Sequence, residues 1–150
     1  MQCNSNLLII VILSLSVLPW DRISYAQDAG EIEVFIAGLK NSNGEVFIDV
    51  YDDSDAFPTK PKLAVYKKRS NIKDGKASTQ FSGVKYGTYA IGVYHDENGN
   101  TELDTNFIGI PKEGTGVSNN VRAAFGPPSF KDASFTLNKT KEIIKIQVQY

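Results

Sequence analysis

Between Asp96 and Asp104 the chain reads Asp96-Glu97-Asn98-Gly99-Asn100-Thr101-Glu102-Leu103-Asp104, which sets oxygen-bearing side chains at relative positions 1, 3, 5 and 9. An i, i+2, i+4 series on a curled backbone turns successive carboxylate and amide oxygens toward one centre. Hard cations need such an arrangement, and calcium takes about 6 to 8 oxygen ligands at roughly 2.3–2.6 Å. The expected calcium ligands are the side chains of Asp96, Asn98, Asn100 and Asp104 with the carbonyl of Glu102. The loop departs from an EF-hand at its sixth position, Thr101 instead of glycine, and at its twelfth, Phe107 instead of a bidentate glutamate. The same residues also suit an Asn-Gly turn whose Asp and Asn side chains cap their own backbone without an ion.

His95, the only histidine, stands beside Asp96, so any general acid or base chemistry here would rest on it. A lone histidine at a strand end equally suits a structural role, bonded to a carbonyl or carboxylate. Ser118, Ser129 and Thr115 are nucleophiles by type, but none lies in a Gly-x-Ser-x-Gly elbow. The expectation is therefore a non-enzyme, with a small-substrate enzyme using His95 as the alternative. Phe107, Phe125 and Phe130 lie in or beside loops, where aromatic rings stack on sugars or on partner side chains. Together with His95 and Asn106 they are the expected ligand- or partner-binding residues, and a carbohydrate-binding module is a further alternative. Asp49, Asp52, Asp53 and Asp55 are spaced loosely across a strand end, the pattern of solvated carboxylates.

The elements that must position these groups read as strands. Ile32, Val34 and Ile36 alternate with Glu33, Phe35 and Ala37, and after Asn41-Ser42-Asn43-Gly44 the same period of two resumes at Val46, Ile48 and Val50, which predicts a hairpin. A loop over Asp52 to Pro61 precedes a weaker strand from Leu63 to Ile72, and Asp74-Gly75 makes a turn. Ala77, Thr79 and Phe81 alternate next; Val84 to Gly87 turns, and Thr88 to His95 places Tyr89, Ile91, Val93 and His95 on one face. The last strands are expected over Ala133 to Leu137 and Ile143 to Tyr150. About seven short strands without a helical period predict an all-β fold, a single antiparallel β-sandwich of immunoglobulin-like kind. Its one long irregular loop runs from Asp96 to Lys131.

The first 26 residues read as an export signal, with an apolar run from Leu7 to Leu18 and Ser24-Tyr25-Ala26 as a cleavage site. The mature domain then starts at Gln27 and is periplasmic or extracellular. The apolar run stops at Pro19, Asp21 and Arg22, short of the roughly 20 residues a membrane helix needs, so no stable span is expected once the signal is cleaved. Cys3, the only cysteine, leaves with the signal, so disulfides and thiolate metal sites are excluded from the mature domain. Removing Asp21 and Arg22 leaves 16 acids against 15 bases, a balance that offers nucleic acid no basic field. The expected partner is a protein or glycan at the cell envelope.

Four runs carry a family resemblance: Gly38 to Gly44, Tyr94 to Asn100, Leu103 to Glu113 and Phe125 to Phe130. In them the chain resembles the bacterial family DUF2141, and this implies a small exported β protein without an assigned role. The run Phe81-Ser82-Gly83-Val84-Lys85-Tyr86-Gly87-Thr88-Tyr89 is similar to the strand–turn–strand signature of transthyretin-like and carboxypeptidase-regulatory-like sandwiches, with Lys85 or Tyr86 where a turn proline is common. Neither resemblance supplies a catalytic residue.

Overall fold

The computed structural model describes residues 28–123 and 125–150, so the signal read over residues 1–26 and its cleavage before Gln27 lie outside the described residues. Eight strands form in chain order: β1 Ala29–Ala37, β2 Glu45–Tyr51, β3 Tyr66–Asn71, β4 Lys76–Lys85, β5 Gly87–Asp96, β6 Thr115–Val117, β7 Phe135–Leu137 and β8 Lys141–Gln147. The α1 helix, Phe130–Ala133, is a single turn capped by Ser129, and Pro61–Leu63 and Ser118–Asn120 form 3-10 turns. None of the described helices is long and apolar enough to cross a membrane.

The strands make two sheets, one in the order β4-β1-β8 and one in the order β3-β2-β5-β6, with β7 sharing the β6 edge of β5. Period-two alternation decides which side of each strand is apolar, and the apolar sides of both sheets meet. Ile32, Val34 and Ile36 of β1 pack in one cluster with Val46 and Ile48 of β2 and Ile91 of β5. Each such side chain contributes about 1.5–3 kcal/mol when fully buried. The arrangement is all-β and sandwich-like. A smaller cluster of Tyr51, Phe57, Ala90 and Ala133 covers the outward side of the second sheet beneath α1 and the 52–60 loop.

Pairing departs from the expectation in three ways. β1 and β2 are not a hairpin; they lie in different sheets, and the Gly38–Gly44 segment carries the chain across. Alternation identifies an inward face but is identical for a strand in either sheet, so it carries no information on partners. The fold is also not wholly antiparallel, because β1 pairs with β8 in parallel from Glu31↔Lys141 to Ala37↔Gln147. The expected seven strands become eight because three residues, Thr115–Val117, pair with β5 inside the long loop, a run too short to show a period. Lesser shifts occur at the ends: the weak strand starts at Tyr66 because Pro61–Leu63 is a 3-10 turn, and Ala133 belongs to α1.

Other local readings hold. Asp74 and Gly75 both take positive φ, 52° and 69°, which is the backbone a two-residue Asp-Gly turn demands between Lys73 and Lys76. Tyr89, Ile91, Val93 and His95 are all buried on one face of β5. Gly83, at φ 70°, is the extra residue where the β1–β4 register shifts, so Val84 turns back into the core after Phe81.

Candidate functional site

β5 ends in His95 and Asp96, and both are almost wholly buried. Two peptides hold this end: His95 N–H donates to the Gly114 carbonyl at 2.8 Å, and Gly44 leads into β2 so close that a Cβ there would collide with the Asp96 carbonyl. The His95 ring bridges two distant segments. Nε2 lies 2.7 Å from the Asn43 carbonyl and Nδ1 lies 2.6 Å from the Tyr150 hydroxyl. A carbonyl only accepts, so the proton sits on Nε2 and Nδ1 accepts from Tyr150. Tyr150 Oη in turn accepts from Lys40 N–H at 3.1 Å. Both ring nitrogens are thereby used in structural bonds inside the protein.

Asp96 turns its carboxylate into the loop that follows. Oδ1 accepts from Gly99 N–H and Asn100 N–H at 2.8 and 3.2 Å, and Oδ2 accepts from Thr101 N–H at 2.9 Å. Asn98 and Asn100 continue the capping, each Oδ1 accepting from a backbone N–H two residues on at 2.9 Å, while their Nδ2 groups donate to the two oxygens of Asp104. Thr101 holds φ at 68°, a left-handed conformation that such bonds stabilise for a β-branched residue. The structure thus brings Asp96, Asn98, Asn100 and Asp104 together. Glu102 is exposed beside them, contributing its N–H to Asn100. As the bonds stand, protein donors satisfy these oxygens, and a calcium cage would require both asparagine amides to rotate. Among the described residues no three His, Cys, Asp or Glu side chains gather closely enough to hold a metal.

Glu113 is the residue that sequence reasoning missed. Its buried carboxylate accepts from Glu97 N–H at 3.0 Å and from Asp104 N–H at 3.1 Å, tying together the two ends of the loop. Nothing in its spacing from Asp96 announces this, although it closes one of the four distinctive runs. Glu113→Gln replaces one acceptor by a donor facing an N–H, so stability should fall by about 1–3 kcal/mol. Amide exchange should quicken at Glu97 and Asp104 before it quickens in β1, which hydrogen-exchange measurement checks.

Glu97 clasps the outside. Its carboxylate meets Lys40 Nζ at 2.7 Å and accepts from Asn41 Nδ2 at 2.9 Å. Burial pushes its pKa up, but the hydrogen bonds from Lys40 and Asn41 outweigh that and hold it below the usual carboxylate range. Lys40 also lies 4.6 Å over the Tyr150 ring.

Beyond Asp104 the chain makes a small hairpin rather than an irregular loop. Lys112 N–H donates to the Asp104 carbonyl at 2.8 Å, and Thr105 bridges to Pro111. Asn106 braces the tip, its Oδ1 accepting from Ile108 N–H and Ile110 N–H at 3.0 and 2.9 Å. The tip presents Phe107, 98% exposed, with Ile108 and Ile110 also exposed. Phe125 is 96% exposed, whereas Phe130 is half-buried, its ring edge-on to Phe57 at 6.0 Å, where it anchors α1. Of the nucleophiles by type, Ser118 is buried and bonded to Ile91 and Ala133, and Ser129 caps α1. Asp53 accepts from Asp55 N–H in a turn, while Asp49 is buried under the second sheet's cover, away from the solvent that its spacing suggested.

A protein-family model described as an uncharacterised protein conserved in bacteria (DUF2141) matches residues 34–145. No curated protein and no solved structure matches the chain.

Proposed function

The chain belongs to DUF2141, the family of uncharacterised bacterial proteins whose model spans its residues 34–145, and on this footing we propose a non-catalytic exported domain that binds a protein partner at the cell envelope through the Phe107 tip. One observation carries the reading: three apolar side chains stand in solvent on a hairpin whose backbone is already fixed by Asn106. An exposed contiguous apolar patch marks an interaction site more often than it marks idle surface. A preformed tip also loses little conformational entropy on docking. Aliphatic Ile108 and Ile110 favour a protein surface over a glycan, which would need hydrogen-bonding side chains around the ring. The bonded state of both His95 nitrogens supports a non-enzyme, since a general base needs a nitrogen within reach of substrate.

The two-sheet arrangement and the Phe81 to Tyr89 run support placing the domain among transthyretin-like sandwiches. A photo-crosslinking phenylalanine analogue at position 107, in bacteria expressing the full chain, should yield a discrete protein adduct. The same analogue at exposed Leu63 should not. Identical adducts from both positions, or none from 107, sink the reading.

Calcium at the Asp96 loop is a second reading, favoured by the meeting of Asp104 with Asn98 and Asn100. Rotation of both amides would turn their oxygens from the backbone toward Asp104. On this reading millimolar calcium raises the melting temperature by several degrees over chelator, and the double variant Asp96→Ala, Asp104→Ala loses the rise. An unchanged melting temperature leaves a self-capped turn.

A further inference from the structure

The outward face of the sheet β4-β1-β8 carries a shallow depression of about 650 Å³ that is broadly open to solvent, a shape suited to an extended ligand lying along the surface. Register builds its floor. Phe35 of β1 lies between Ser78 of β4 and Lys145 of β8, and the next outward residue, Ala37, lies between Lys76 and Gln147. The small Ala37 next to the large Phe35 hollows the face and leaves the Phe35 side chain 41% exposed. Asn120 closes one side, donating from Nδ2 to the Lys145 carbonyl at 3.2 Å and accepting on Oδ1 from Gln147 N–H at 2.7 Å. The Lys73–Lys76 turn closes the other.

The charge of the depression is one-sided. Lys73, Lys76 and Lys145 line it against a single acid, Asp74. Among the described residues none of these lysines lies in an ion pair, whereas Lys141, farther along the same face, is held by Glu31 and Glu33 at 3.2 and 2.8 Å. We propose that this depression binds an acidic oligosaccharide, a chain of carboxylated sugars, with the Phe35 ring against a pyranose face. Lys76 and Lys145 meet the carboxylates, and Ser78 and Gln147 serve the hydroxyls. A free inorganic anion would use the lysines but would gain nothing from Phe35. A nucleic acid would need a basic field wider than three lysines on a chain of net charge −1.

The site shares no residue with the Phe107 tip, so it stands or falls apart from that reading. The test is titration of the full-length protein with tetragalacturonate, followed by calorimetry and amide NMR, with cellotetraose, inorganic phosphate and a duplex oligonucleotide alongside. The expected result is saturable binding of tetragalacturonate alone, weakening as salt rises, with shifts at Phe35, Ser78 and Lys145. The double variant Lys76→Gln, Lys145→Gln should bind roughly tenfold more weakly, Phe35→Ser should also weaken binding, and Lys62→Gln should not. The glutamine substitutions sit on exposed strand positions, so an unchanged melting temperature verifies their folding. No binding of tetragalacturonate overturns the proposal. So does equal binding of phosphate or oligonucleotide at the same residues, or indifference to Phe35→Ser.

Discussion

His95→Ala should lower the folding free energy by about 3–5 kcal/mol, the cost of deleting a large buried side chain together with its two hydrogen bonds. The Asn43 carbonyl and the Tyr150 hydroxyl both lose their partner, and water reaches the exposed Asn43 and Tyr150 to replace part of it, so most of the cost is the emptied core volume. Against a total stability of about 5–15 kcal/mol this is a large fraction. Two further variants apportion the effect. His95→Phe keeps a buried ring, somewhat larger than imidazole, and loses the bonds; Tyr150→Phe loses only the hydroxyl, at about 1 kcal/mol. Because the residues share one bond, the double variant should cost less than the sum of the singles. Denaturant melts of the wild type and the four variants measure all of this. A His95→Ala protein with an unchanged midpoint would show that the ring is not structural and would reopen its use as a base.

Asp49→Asn should stabilise the protein at neutral pH and remove a pH dependence. Asp49 is only 7% exposed on the outward side of β2, opposite Lys67 of β3 and Gly92 of β5, with Tyr51 and Pro58 close over Gly92. Burial raises its pKa from 3.8 to about 6, and the charge of Lys67 offsets only part of that. A raised carboxyl pKa means that the native state binds more protons than the unfolded chain between those values. Stability contributed by Asp49 is therefore intact below pH 3.8 and declines until about pH 6, by about 3 kcal/mol in all. Asparagine has the same shape and no charge, so its curve lacks that decline. The difference between wild type and variant, measured from pH 4 to pH 7, cancels the other carboxylates. A difference that stays constant across the range would exclude Asp49 as its source.

What could be read in advance follows from the range of each interaction. Alternation located the strands that carry the core, since burial of every second side chain is written locally. The Asp74-Gly75 turn was legible for the same reason, its backbone being set by those two residues. Partnership was not local. Nothing near His95 foretells Asn43 or Tyr150, which the fold brings in from sequence separations of 52 and 55 residues. Glu113 was hidden likewise, for a carboxylate that receives two backbone N–H groups looks in sequence like any other acid. At the loop itself, spacing foretold that Asp96, Asn98, Asn100 and Asp104 would converge. Spacing does not determine which end of each amide faces inward.

The parallel ladder between β1 and β8 also governs how the domain bears load. Traction on the N-terminal side of β1 and the C-terminal side of β8 draws two parallel neighbours past each other lengthwise. The seven matched positions from Glu31↔Lys141 to Ala37↔Gln147 then resist in shear, all at once. An antiparallel hairpin pulled from its open ends peels one rung at a time. Because forced rupture is governed by the barrier to unfolding and not by equilibrium stability, this ladder should raise the force needed to part β1 from β8 well above that for a hairpin of equal length.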